Sequence, residues 1–186
     1  MTEGVRHYRK LAQNNRLANL RLHTACALLK PGEFEASRVS FFPSIRATLN
    51  HILTVDWFYV DALEGGTLGP KAWDPEEPFA ALPPLTAAQA AVDERLLEFC
   101  RRLTGPRAAG ETRMHRTGRV QVERTGDVLD HLLQHQTHHR GQVHAMLSGT
   151  SIAPPQLDEF LMGGGDVPRR AAEMVELGWS EDDLMR

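Results

Sequence analysis

Apolar residues recur with helical spacing in four long stretches of this chain. The first runs from about Val5 to Leu29, where Leu11, Leu17, Ala18, Leu20, Leu22, Ala25 and Leu28 build a broad apolar face and Pro31-Gly32 stops it. The second runs from about Pro43 to Leu63. Pro43 suits a first-turn position, Ile45, Leu49, Ile52, Val55, Phe58 and Ala62 keep the helical spacing, and Gly65-Gly66 ends it. A loop rich in Gly and Pro, from Gly65 to Pro84, leads to the third stretch. Its capping box, Thr86-x-x-Gln89, predicts a helix from Thr86 to about Leu103. The fourth begins near Asp127, a good N-cap residue, and closes at Gly149.

Between the third and fourth stretches the helical period fails. From Arg113 to Arg124, Val120 and Val122 alternate with polar residues around Thr117-Gly118, which predicts a short hairpin. Beyond Pro154-Pro155, Gly163-Gly164-Gly165 marks a flexible join. Arg169 to Leu177 reads as a short helix closed by Gly178, and Ser180 caps a last turn. The pattern predicts an all-α fold: a four-helix bundle over residues 1–158, a short hairpin before the fourth helix, and a helical extension of the same domain over residues 159–186.

Composition narrows the function classes. The chain has 186 residues, 41% of them hydrophobic, and a net charge of −3. Lys and Arg are scattered, so no basic stripe points to nucleic acid or to an anionic membrane surface. No apolar run approaches the ~18 residues of a membrane span, and the polar start, Met1 to Lys10, lacks the apolar core of a secretory signal. Cys26 and Cys100 each sit among apolar residues, which fits buried, reduced thiols and a cytoplasmic location.

Histidine is the unusual residue: five of the nine lie between His131 and His144. At ~100° per residue, Val128, Leu129, Leu132, Val143, Met146 and Leu147 share one arc of the fourth helix, and His135 and His139 fall inside it. Four residues apart, their Cβ atoms are ~6 Å apart on one face, a workable bite for one metal ion. The other reading, two core histidines each hydrogen-bonded to a neighbour, stays open on the helix alone, although two stacked rings need partners for four nitrogens. His51 is a third inward candidate, on the second-helix face of Val55, Phe58 and Ala62. Three imidazoles and one open position suit a catalytic site more than a structural one. His7 and His115 are expected in solvent. His23 fits either setting, and His131 either supports a ligand or lines a pocket.

These residues also resemble a known family. The run His135-Gln136-Thr137-His138-His139-Arg140-Gly141-Gln142 is similar to the HxxxHRGQ signature of the DinB/YfiT-like metalloenzymes. Leu49-Asn50-His51-Ile52-Leu53 with Asp56, and Asn15 with Asn19, resemble the family's second- and first-helix motifs. The likeness spans about Tyr8 to Asp158. It implies a four-helix bundle with zinc or nickel held by His51, His135 and His139, water completing the shell, and often a homodimer. Activities in the wider superfamily include transferases and isomerases that use low-molecular-weight thiols.

Two chemistries follow from such a site, activation of a thiol or of water, and a non-catalytic metal-binding or small-molecule-binding protein is the alternative. No acidic residue stands beside the ligands as in HExxH proteases, which disfavours hydrolysis. Around the histidines, Gln142 is expected to hydrogen-bond near the metal and Asp56 to make a bundle contact. Arg140, whose angle points away from the core, is expected to bind an acidic substrate group or form a surface or dimer salt bridge. Gly141, costing ~1 kcal/mol in mid-helix, suggests close packing against another helix. The pocket mouth is assigned to Gly65–Pro84 or to the tail, which caps the site or extends a dimer contact.

Overall fold

Four long helices frame the protein, seen here in a computed structural model that describes residues 3–158 and 161–185. They are α1 (Glu3–Cys26), α2 (Ile45–Leu63), α3 (Leu82–Arg102) and, after the short α4 (Gly105–Ala109), α5 (Thr125–Leu147). α1 packs on α3 and α5, and α2 packs on the same two, so the four close a ring with α1 and α2 on opposite corners. Leu22, Ile52, Leu53, Phe58, Leu97, Leu129 and Leu132 fill its interior, each almost wholly removed from water. The bundle expected from the apolar period is therefore present. No helix among the described residues is long and apolar enough to cross a membrane.

Helix ends depart from the expected ones for identifiable reasons. α1 stops at Cys26, and Leu28 and Leu29 lie beyond it. Ser44, not Pro43, opens α2: its hydroxyl accepts the Ala47 amide at 3.0 Å. α3 begins at Leu82, four residues before Thr86, with prolines in its first turn where no amide donor is needed. The apparent capping-box residues serve tertiary contacts instead. Thr86 Oγ1 lies 2.8 Å from His23 Nδ1, and buried Gln89 bonds two aspartates. α5 starts at Thr125, which leaves Asp127 in the first turn, where its charge favours the helix N-terminus.

The hairpin forms as expected, from β1 (Glu111–Arg116) and β2 (Arg119–Arg124), antiparallel with Arg116 opposite Arg119. Gly118, at φ 72°, supplies the left-handed turn residue. Thr112 and Thr125 share a 2.9 Å hydroxyl contact, and Arg107 bonds Thr125 and, at 2.9 Å, the Leu63 carbonyl. The hairpin is thus tied to the start of α5 and the end of α2.

At the centre of the ring lies a buried polar network to which every long helix contributes. Arg140 donates to Asn15 Oδ1, to Asn19 Oδ1 at 3.2 Å and to Gln136 Oε1 at 3.1 Å. Both asparagine amides donate to Asp93, Asn15 at 3.2 Å and Asn19 at 2.9 Å. Gln89 bridges Asp56 at 2.7 Å and Asp93 at 3.0 Å, and Gln136 donates to Asp56. Arg140 is therefore a core residue, contrary to its expected outward angle. α5 buries two flanks, one against α1 and one against α2, so its interior arc is wider than a single apolar stripe suggests.

The tail comprises a 3-10 segment (Gly164–Arg170), α6 (Ala171–Leu177) and α7 (Glu181–Met185). Gly178 closes α6 at φ 66°, and Ser180 accepts the Asp183 amide at 3.1 Å. Leu161, Met174 and Leu184 pack on Leu17 of α1, and Arg21 pairs with Glu173 at 2.5 Å. The expected start of the extension, Glu159 with Phe160, lies outside the described residues. The described tail does not cap the histidine site: it lies along α1 and lines none of the cavity described below.

Two substitutions test this frame. Arg140→Ala strands Asp93 among partners arranged around a cation, and a loss of about 3–5 kcal/mol is expected in urea denaturation, whereas a loss under about 1 kcal/mol contradicts the network's role. Gly141 is exposed, and a Cβ there meets nothing within 4 Å, so close packing does not explain it. Gly141→Ala should therefore stabilise the protein by ~0.5–1 kcal/mol, read from the same denaturation midpoints.

Candidate metal centre

The network residues Gln136 and Arg140 lie one position after His135 and His139 on α5. Anchoring the former toward the bundle axis turns the latter toward α2, where His51 faces them. Nε2 of His51 and Nε2 of His135 lie 3.0 Å apart. The His139 ring centroid is 4.6 Å from that of His51 and 4.3 Å from that of His135. One nitrogen from each ring can be chosen so that all three lie within 4.8 Å of one another. The three candidates therefore converge, as the helical phase predicts for His135 and His139 and as the resemblance implies for His51. Neither buried cysteine joins the cluster.

The donor set fits a divalent metal ion. A tetrahedral ion with ~2.0–2.1 Å nitrogen bonds needs neighbouring ligand nitrogens roughly 3.3 Å apart. Two of the nitrogens meet that spacing closely. His139 Nδ1 lies 2.8 Å from Gln142 Oε1. Because that oxygen only accepts, Nδ1 carries the proton and Nε2 keeps its lone pair for the cluster. Gln142 thus meets its expected role near the site, and its amide also reaches His138 Nε2 at 3.2 Å. As a purely hydrogen-bonded set the trio serves poorly, since His135 Nδ1 is buried without a partner.

The electrostatics agree. Burial pulls His135 down to about 3, with further lowering from His139 and His51, and pulls His51 down to about 4. His139 is lowered too, mainly by burial and partly offset by Gln142. All three rings are neutral at pH 7, the form that binds a metal. Phe42 contributes to this burial by stacking on His51, with centroids 4.2 Å apart.

A cavity of about 430 Å³ opens beside the cluster, walled by His51, His131, His135, Tyr59, Trp73 and Arg116 among others. His131 is exposed and lines this pocket, its ring 5.1 Å from that of Tyr59. The Gly65–Pro84 loop supplies Trp73, Glu76 and Glu77 to the wall, as expected of the mouth. Phe42 and Arg116 were not legible beforehand, because no periodic signal places a loop aromatic or a hairpin end over a helix-borne site, whereas Tyr59, on α2 two turns after His51, is within reach of the helical period. His7 is exposed as expected, and His115 is half-buried. His23 is buried away from the site, and burial lowers it to about 4. A larger cavity of about 920 Å³ lies between α1 and the tail and includes none of the three histidines.

The model of the DinB family matches residues 1–164 of the chain. No curated protein matches it.

An NMR titration of metal-free protein checks the electrostatics. Burial disfavours the charged ring, so the midpoints of His51 and His135 should fall near 4 and 3. Midpoints near the ordinary ~6.5 would mean the rings are solvated and the cluster is not held as described.

Proposed function

This chain belongs to the DinB family, and we propose that His51, His135 and His139 hold one divalent metal ion, zinc or nickel, in an open site serving a thiol-dependent transferase or isomerase. The observation that carries this reading is the convergence of three neutral imidazoles beside a small-molecule-sized cavity. A bound divalent ion would lower the pKa of a coordinated thiol or water, so that either is available as its anion at neutral pH.

The chain's own residues prepare that chemistry. Gln142 holds His139 in the tautomer that presents a lone pair. Phe42 shields His51 from solvent on one ring face. The cavity wall combines apolar surface from Val55 and Trp73 with the hydroxyl of Tyr59, enough to bind and orient an organic substrate. No carboxylate belongs to the three-histidine cluster among the described residues. The carboxylates of the cavity wall, Glu76 and Glu77, stand outside that cluster, and a thiol, which ionises more readily than water and needs no strong base, is the better cosubstrate. A homodimer in the cytoplasm completes the proposal. The family resemblance supports the dimer, and two buried free thiols support the compartment.

Elemental analysis of untagged, metal-replete protein tests the site. Wild type should carry one ion per chain and His139→Ala essentially none, while Gln142→Ala should bind roughly 10-fold more weakly. Wild type without metal would sink the proposal. With metal established, turnover of an electrophile by some member of a panel of low-molecular-weight thiols supports an enzyme. Turnover with none of them assigns the site to metal or small-molecule binding without catalysis.

A further inference from the structure

The same cavity carries a charge that the three histidines do not use. Arg116, the last residue of β1, lines it. Its guanidinium lies over the Phe58 ring, 4.3 Å from the centroid, and donates to the Tyr59 hydroxyl and to Gln121 Oε1, both at 3.3 Å. These partners are neutral, and no carboxylate pairs with it among the described residues. The other charged residues of the cavity wall are acidic. Glu76 and Glu77 come from the loop beside the start of α2, where Glu77 pairs with Arg46 at 2.9 Å.

The position of Arg116 is built in. At Gly69, φ 56°, an added Cβ would lie 2.9 Å from the His115 carbonyl, so the loop presses directly on the strand. Aromatic contacts and hydrogen bonds then fix the guanidinium with donors to spare, since a guanidinium has five. His51, Val55 and Tyr59 follow one another along α2 at the cavity wall. Arg116 bonds the last of these, eight residues or about 12 Å of helix beyond His51.

We propose that Arg116 is the anchor for a carboxylate on an elongated substrate, holding its anionic end beside Tyr59, about two turns of α2 beyond the residue that carries the cluster's His51. This rests on the histidine cluster being the reacting end of the cavity, as proposed above. Of the two acidic residues at the wall, Glu77 is already paired with Arg46 and Glu76 is not, so Glu76 disfavours an anion on the loop side and favours the orientation that puts the carboxylate on Arg116. Arg116 positions and selects substrate and takes no part in bond making.

The test is calorimetric binding of 8-mercaptooctanoate and 8-mercaptooctanamide to the zinc-loaded full chain. These probes share length and thiol and differ in the terminal charge. Wild type should prefer the carboxylate about 10-fold, the size of one charge-assisted hydrogen-bond pair. Arg116→Gln should bind the two alike, with amide binding unchanged. Arg116→Lys, which keeps a charge but loses the planar fork, should retain part of the preference. The short 4-mercaptobutyrate should show no preference over its amide. Equal binding of the long pair by wild type, or an undiminished preference in Arg116→Gln, overturns the assignment. If Arg116→Gln does not fold, the wild-type pair and Arg116→Lys decide, an unreduced preference in the lysine variant counting against the fork. Octanoate against octanamide on metal-free protein separates this proposal from the metal reading. A carboxylate preference there that Arg116→Gln abolishes supports Arg116 even if zinc does not bind, and its absence counts against Arg116 even if zinc does.

Discussion

The structure depends on a cation buried where four helices meet. Arg140 brings a positive charge to the bundle axis, and α1, α2 and α3 all supply oxygen atoms to the hydrogen-bonded network around it. Taking a guanidinium out of water is costly unless it is paired and fully hydrogen-bonded. Burial lowers Arg140 to about 10, which leaves it charged at neutral pH. Asp93 is raised to about 7 and Asp56 well above the ordinary carboxylate range, each mainly by burial and Asp56 also by Asp93. The two carboxylates cannot both ionise freely in so small a space. Arg140 offsets whatever negative charge they keep, since its cation pulls both carboxyls back down.

Specificity of position is what this arrangement provides. Apolar ridges tolerate sliding by a fraction of a turn, whereas Arg140 and Gln136 must meet named atoms on α1 and α2. Fixing these two residues fixes the rotation of α5. Their neighbours His135 and His139 are then turned toward α2, and Asp56, bonded to the same network, sets the register of the helix that carries His51. The polar core and the histidine cluster are two sides of one constraint. The hairpin and the Gly65–Pro84 loop complete the wall of the cavity beside the cluster.

Much of this was legible because helices write their inner face into sequence. The spacing of Leu129, Leu132, Val143 and Leu147 places His135 and His139 inward, and alternating Val120 and Val122 mark the hairpin. Arg140 was misread because a single apolar stripe underestimates a helix buried on two flanks. Thr86 and Gln89 imitate a capping box, yet prolines at the true start and a buried network claim those positions. Gly141 signals no packing at all. Arg116 could not be found by period, since its role arises from a hairpin folding over a helix far away in the chain.

The central claim is that a frame fixed by Arg140 presents three imidazoles, and no other protein ligand, to one metal ion. X-ray absorption at the zinc edge of the zinc-loaded protein tests this most directly. The account predicts a first shell of nitrogen and oxygen at ~2.0–2.1 Å with scattering from about three imidazole rings. A sulfur shell at ~2.3 Å, or scattering from a fourth imidazole, would contradict it.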